Sequence, residues 1–221
     1  MARSDPYRRI AGIYDLFVEP MQSGVRRIGL RLAPPEPGWR VLDVGCGTGT
    51  GLSPYVESGC EAVGVEVSPA MLEKARARLG DRAELYLTDG SALPFEDRSF
   101  DLVTTSMVLH ELSPKARPRF IREMGRVTKS EGHLLITDFQ FGSLRGWRGP
   151  MSRAVSHLFE RVSGHYAAYR SFKAAGGVPA VIADAGMTVQ SHKIVAGGNI
   201  ALYSVRSNPA AAQNQTTGQD E

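Results

Sequence analysis

Five short apolar runs, at residues 40–44, 62–66, 84–88, 101–106 and 134–139, alternate with helical patterns along the middle of the chain. The runs are continuous rather than alternating, as in parallel strands covered on both faces. Parallel neighbours need a crossover connection, usually a helix. Ser68-Pro69 and Ser113-Pro114 mark two helix starts, because serine caps free N–H groups and proline fits the first turn. The second helix carries Phe120, Met124 and Val127 on one face. Together these signals predict an open α/β sheet with right-handed crossovers.

Composition narrows the class further. The chain has 221 residues, 42% apolar and 22% charged, which is ordinary for a globular protein and excludes a disordered, collagenous or disulfide-framework chain. Cys46 and Cys60 are too few for a disulfide framework, so the chain reads as intracellular. No apolar run reaches the ~18 residues of a membrane span, and the first residues lack a signal-peptide core. The net charge of +3 divides unevenly: +3 over residues 1–40, −4 over 41–139, +6 over 140–206 and −2 over 207–221. An acidic middle lies between two basic flanks.

The flanks complete the domain. Tyr7, Ile10, Tyr14, Phe17 and Met21 fall on one helical face. A second short helix is expected after Pro20, with Val25, Ile28 and Leu32 inward and Arg27 and Arg31 outward. Residues 140–180 predict helices over the sheet edge, and Pro179 starts a helix to about Ala185. Residues 188–196 and 199–205 predict a hairpin around Gly197-Gly198. The expected domain runs over 1–206: N-terminal helices (1–35), a core (36–139), a helical insertion (140–180), and a last helix and hairpin (181–206). Residues 207–221 read as a disordered tail.

The most informative motif is Val41-Leu42-Asp43-Val44-Gly45-Cys46-Gly47-Thr48-Gly49-Thr50-Gly51, running from a strand into a helix. Its glycines permit a tight turn and close approach of a ligand, and the helix that follows is expected to present free N–H groups. A phosphate-binding loop would need Gly-Lys-Ser/Thr, and no lysine is present. A dinucleotide fingerprint needs glycine three positions after Gly47, where Thr50 stands. Glu66 closes the second run, suited to ribose hydroxyls, and Asp89 the third, suited to an adenine amine. Strand ends in an open sheet converge on one crevice. Three carboxylates there favour a cationic ligand with an amine, a ribose and an adenine, and would repel a pyrophosphate.

With these residues in place, the chain resembles the class I S-adenosylmethionine-dependent methyltransferases. The nearest branch contains the ubiquinone/menaquinone-biosynthesis and bacterial phospholipid N-methyltransferases. The resemblance covers about residues 36–139: the Asp43–Gly49 turn, Gly64-Val65-Glu66-Val67-Ser68 with Met71-Leu72, 89–95, Phe100-Asp101-Leu102-Val103, and 123–138. It implies a Rossmann-like seven-stranded, mostly parallel sheet with helices on both faces and a C-terminal antiparallel hairpin. It implies S-adenosylmethionine as cofactor: Asp43 and Gly45 facing the methionine part, Gly47 and Gly49 lining the turn, Glu66 on the ribose and Asp89 on the adenine. Val67 would pack on the adenine, and Cys46, Met71 and Gly90 would complete the cofactor set. Cys46 itself reads as a packing residue rather than a nucleophile. One departure is Lys129-Ser130-Glu131-Gly132, where relatives often carry Lys-Pro-Gly-Gly.

Methyl transfer needs alignment, exclusion of water and, for a protonated acceptor, a base. His110, with Glu111 to orient it, is the candidate base, and Tyr14 a second pocket residue. His165, Tyr166, Tyr169 and Arg170, beside Arg145, Arg148, Arg153 and Arg161, are expected to cover a small or lipid-like acceptor. A phospholipid amine and a quinol precursor lead. The same basic surplus suits peripheral contact of a cytoplasmic protein with an anionic membrane. The alternatives are a nicotinamide-dependent oxidoreductase, against which Thr50 and Asp89 count, and a non-catalytic S-adenosylmethionine-binding protein. No nucleic-acid partner is expected, since the fourth run ends Thr104-Thr105-Ser106-Met107 and no long basic stripe occurs. No metal is implied, because five histidines and two cysteines show no ligand spacing.

Overall fold

The computed structural model describes Tyr7 and residues 14–207, with side chains described for Tyr7 and residues 22–206. The tail from residue 208 lies outside the described residues. Helix α1 (Tyr14–Leu32) leads to β1 (Arg40–Val44), α2 (Ser53–Glu57), β2 (Glu61–Glu66), α3 (Pro69–Leu79) and β3 (Ala83–Leu87). Then follow β4 (Phe100–Ser106), α4 (Ala116–Val127), β5 (Thr128–Phe139), α5 (Arg148–Val162), α6 (Tyr166–Ala174), α7 (Val178–Asp184), β6 (Met187–Val195) and β7 (Ile200–Ser207).

The seven strands form one sheet in the order β3-β2-β1-β4-β5-β7-β6. The first five strands pair parallel with one another. β7 is antiparallel to both β5 and β6. This is the expected Rossmann-like sheet with its C-terminal hairpin. Strand order reverses at β1 and β4, which opens a crevice at their carboxyl ends.

The central strands bury nearly every side chain. Val41, Leu42, Phe100, Leu102, Val103 and Ile136 are fully buried. α4 packs Phe120, Ile121, Met124 and Val127 against them, each contributing about 2 kcal/mol by burial. α3 starts as expected: the Ser68 side chain accepts a hydrogen bond from the Met71 N–H, and Pro69 opens the helix.

Four expectations need correction. The N-terminal segment forms one helix through Pro20, not two. Pro20 lies in the second turn of this helix, where it removes one helical N–H at a cost of about 3 kcal/mol, yet the helix continues to Leu32. Within α1, Leu32 is exposed while Val25, Gly29 and Ala33 face in. α4 is regular from Ala116, two residues beyond Pro114, and no side chain caps it; the Ser113 carbonyl instead accepts the first helical bonds, from the Ala116 and Arg117 N–H groups. β3 is not covered on both faces; it is a sheet edge and leaves Tyr86 and Leu87 exposed.

Candidate active site

The glycine-rich turn is held by backbone geometry. Gly45 and Cys46 donate their N–H groups to the Val65 carbonyl at 2.8 and 3.0 Å, fixing the turn against β2. Gly45 adopts φ +83°, and a Cβ there would stand 2.4 Å from Val108 Cγ2. Gly47 adopts φ +55°, yet a Cβ would meet nothing within 4 Å, so this glycine borders open space. The expected row of free N–H groups does not form. Gly49 donates to the Cys46 carbonyl, Leu52 and Ser53 donate to Gly49, and α2 is only five residues long. The Thr50 and Gly51 N–H groups remain, but the Asp43 carboxylate beside them would repel a phosphate.

The cleft beyond the turn has two lobes that share Gly45, Gly47, Ser106 and Met107. The larger holds about 540 Å³ and is lined by Glu66, Val67, Met71, Asp89, Gly90 and His165, among others. The smaller, about 100 Å³, is lined by Asp43, Cys46, Thr50, Tyr55 and Arg26. Gly49 lines neither lobe; a Cβ there would press on Ala75 and Leu79 of α3.

The acids are prepared differently. Asp43 is 5% exposed, and burial pushes its carboxyl up to about 7; Arg26 pulls it down and Glu66 adds to the rise. Glu66 accepts from the Gly47 N–H through Oε2, and from the Val67 and Ser68 N–H groups through Oε1, all at 2.9 Å. Its carboxyl is raised by burial and held back by those bonds. One lone pair, on Oε2, remains for a hydroxyl donor. Asp89 lies two residues beyond the end of β3, and its Oδ1 accepts from the Ser91 N–H at 2.9 Å. Val67 is 55% exposed, an open apolar surface beside the larger lobe, whereas Met71 is buried beneath it. Cys46 is buried, and its thiol is pushed well up by burial and by Asp43 and Glu66, as suits a packing residue.

His110 is placed otherwise than expected. It is 1% exposed and lines neither lobe. Asp138, not Glu111, orients it: Nδ1 stands 2.8 Å from Asp138 Oδ1. Nε2 faces Glu160 Oε1 at 3.3 Å and Glu111 Oε1 at 3.9 Å. Burial works against its proton, but Asp138 above all, with Glu160 and Glu111, holds the imidazole well above its ordinary value. The ring lies among carboxylates that favour its protonated form. Glu111 also accepts from Tyr7 and pairs with His165 Nδ1 at 3.3 Å, and all three border the larger lobe. Against burial, His165 and His110 keep the Glu111 carboxyl low, while Glu111 raises His165. Tyr14 begins α1, and its side chain lies outside those described.

The expected acceptor set separates. His165 lines the cleft, but Tyr166, Tyr169 and Arg170 do not. Tyr169 is 1% exposed, packed on Phe139 and His110, with its Oη 2.9 Å from His157 Nε2. Tyr166 stacks on Tyr169, and Arg170 is exposed. Arg153 reaches the Gln140 carbonyl at 2.9 Å and Asn199, so it ties α5 to the sheet.

Four partners escaped the sequence reading. Arg26 donates to Thr50 Oγ1 at 3.2 Å and stands beside Asp43. Gln22, Val25, Arg26 and Gly29 line the small lobe at helical spacing, a face whose mixed polarity hid it. Asp138 and Glu160 reach His110 from β5 and α5, too far along the chain for local patterning. Arg117, buried in α4, clamps the Leu109 and Ala168 carbonyls and Ser171 Oγ, joining the His110 loop to α6. Its charge made it look like a surface residue.

Comparison with known proteins agrees with this geometry. Residues 42–136 match a family described as a methyltransferase domain. The chain is 33% identical over 210 residues to the demethylmenaquinone methyltransferase of Renibacterium salmoninarum, covering 88% of this chain and 87% of that one. It is 31% identical over 224 residues to the demethylmenaquinone methyltransferase of Beutenbergia cavernae, covering 95% and 91%. In fold it matches the chain bound to the Trm112 methyltransferase activator of Haloferax volcanii, with a TM-score of 0.72 at 19% identity, covering 94% of this chain and all of that one. These similarities lend nothing to a nicotinamide oxidoreductase. The acids at the strand ends, the turn that turns phosphate away and two near-full-length relatives converge, and the chain belongs to the class I S-adenosylmethionine-dependent methyltransferases of the ubiquinone/menaquinone-biosynthesis type.

Proposed function

We propose that the acceptor of this methyltransferase is a quinol precursor, a lipid-like molecule, rather than a phospholipid amine. The single observation that carries the choice is the near-full-length similarity to demethylmenaquinone methyltransferases. The cleft supports it, since its larger lobe joins apolar Val108 and Leu112 to the polar group Tyr7, Glu111 and His165.

S-adenosylmethionine suits the residues present. Asp43, buried and with its carboxyl raised to about 7, is a site for a cationic amine. Glu66 keeps acceptor capacity for a ribose hydroxyl, and Asp89 with Gly90 borders the same lobe for an adenine beside Val67 and Met71. When bound, the cofactor supplies an electrophilic methyl group on a sulfonium. The chain's own residues align and shield: the Gly45–Gly47 turn admits close approach, and Ser106 and Met107 stand at the junction of the lobes. Met107 holds φ +60°, a strained left-handed backbone of the kind that gathers at functional sites. His110 is a positioning residue, because it lines neither lobe of the cleft and its ring nitrogens face Asp138 and Glu160. His165 and Glu111, on the cleft wall, are the groups able to meet an acceptor hydroxyl. Tyr166, Tyr169 and Arg170 act in packing or at the surface. Contact with an anionic membrane would bring such an acceptor within reach.

The test is transfer of label from methyl-labelled S-adenosylmethionine to a short-chain demethylated naphthoquinol and to phosphatidylethanolamine, side by side. Carbon methylation of the quinol is expected. Label on the amine alone would overturn the choice.

A further inference from the structure

A helix on a globular protein normally buries its apolar face. α5 does the reverse. Its inner side is polar: Ser156 and Glu160 are buried, Ser156 Oγ accepts from Asn199 at 3.0 Å, and Glu160 faces His110. Its outer side carries an apolar row. Trp147, just before the first turn, and Met151, Val155, Leu158 and Val162 recur at steps of four, four, three and four. They are 70, 52, 47, 65 and 78% exposed. They make up half of the exposed large apolar side chains among the described residues, gathered on one face. Such a continuous patch marks an interaction surface.

The surrounding charge says what covers it. Residues 140–183 contain six cations, Arg145, Arg148, Arg153, Arg161, Arg170 and Lys173, and a single carboxylate, Glu160. That carboxylate is 2% exposed and turned inward, and Arg153 is turned to Gln140 and Asn199, so the layer shows the other five cations and no acid. Arg148 lies over the Trp147 ring at 5.4 Å and Arg161 over Tyr166 at 4.8 Å, each holding a guanidinium at the margin of the apolar row. A second copy of the chain would set cations against cations. An apolar interior beneath a negatively charged surface matches both features at once.

We propose that α5 is a membrane-surface docking helix, with the row from Trp147 to Val162 seated at the acyl boundary of an anionic bilayer and the flanking arginines on its headgroups. The proposal deepens the reading of a lipid-like acceptor and rests on it for its purpose. Glu160 on the inner side of α5 meets His110, whose neighbour Glu111 lines the cleft, so docking sets the cleft at the surface where such an acceptor resides.

The experiment is co-sedimentation of the full chain with phosphatidylcholine vesicles, with and without about one third phosphatidylglycerol. Wild type is expected to bind the anionic vesicles at least about tenfold more tightly, with added salt weakening the binding. Replacing Leu158→Glu and Val162→Glu together should weaken it about tenfold or more, because two apolar side chains leave the acyl boundary. Ile194→Glu, at an exposed apolar position on β6, should leave binding unchanged. Unchanged melting temperatures would show that the variants fold. Equal binding to both vesicle types, no binding, or undiminished binding by the double variant would overturn the proposal. So would a wild-type dimer that the double variant dissolves, since the occupant would then be a second copy. Methylation of a soluble short-chain quinol separates the two readings: if it persists while vesicles are not bound, the docking role fails and the acceptor assignment stands.

Discussion

The sheet core and the helical layer of residues 140–183 use polar side chains in opposite directions. In the core, Asp43, Glu66 and Asp89 stand at or just beyond strand ends and face a cleft. In α5, Glu160, Ser156 and Arg153 turn toward the sheet and hold the helix down, while the apolar residues look out. The difference teaches that burial of a charge has two uses. At Asp43 it raises a carboxyl beside an open lobe; at Glu160 it sets a counter-charge against the buried His110 ring.

The sharpest way to break this comparison is a pair of glycine substitutions. Gly45→Val should cost roughly 4 kcal/mol and abolish cofactor binding, because it joins a left-handed backbone to a clash with Val108. Gly146→Ala, in the helical layer, has φ +57° but open space, and should cost about 1 kcal/mol with binding intact. Thermal denaturation and calorimetry would check both.

Next in size is the His110 group. Glu160→Ala should destabilise by about 3 kcal/mol, because a buried imidazolium loses one of its counter-charges. The pH sign follows from the raised folded-state value. The imidazolium contributes its full stability below the ordinary histidine value of 6.5, and that contribution is lost as pH rises through the higher folded value. Denaturation midpoints measured from pH 6 upward should therefore fall in wild type and fall less in Glu160→Ala.

Glu66→Ala should weaken binding of S-adenosylmethionine or its demethylated product by about thirtyfold, from one lost hydroxyl bond to a charged acceptor, about 2 kcal/mol. Arg170→Ala, exposed and away from the cleft, should leave affinity unchanged. Undiminished binding by the Glu66 variant in calorimetry would refute the ribose role.

The smallest effect is the pH dependence of that affinity. With its carboxyl near 7, Asp43 ionises between pH 6 and 8, so affinity for a cationic amine should rise by up to about tenfold over that range. For the folded protein without cofactor the sign is opposite. A raised carboxyl favours folding at low pH, and stability falls as pH rises from its unfolded value toward 7. Asp43→Asn should flatten both profiles.

What could be read from the sequence follows the same division. The β1 turn was legible because backbone geometry demands glycine at fixed positions, and Gly45 shows why. α3 was legible because its cap is local, Ser68 to Met71. Ser113-Pro114 offered the same signal, but there no side chain caps the helix, and the Ser113 carbonyl accepts its first bonds instead. β3 shares the apolar content of the inner strands, and nothing in its composition tells that it stands at the edge. His110 was paired with Glu111 because they are adjacent, whereas Asp138 lies 28 residues away and the fold alone brings it to the ring. In α5, reading the arginines as a binding face missed that Arg153 is spent on the sheet.

The position of β7 bears on how the molecule is made. It is the last strand in chain order, yet it lies inside the sheet between β5 and β6. Its residues Ile200 and Leu202 line the lobe that holds Asp43. During synthesis, the glycine turn and all three acids leave the ribosome long before this wall exists, and β5 waits as an open edge. The lobe around Asp43 therefore gains this wall only once β7 has been made, and a chain interrupted before Ile200 carries the glycine turn and all three acids without it.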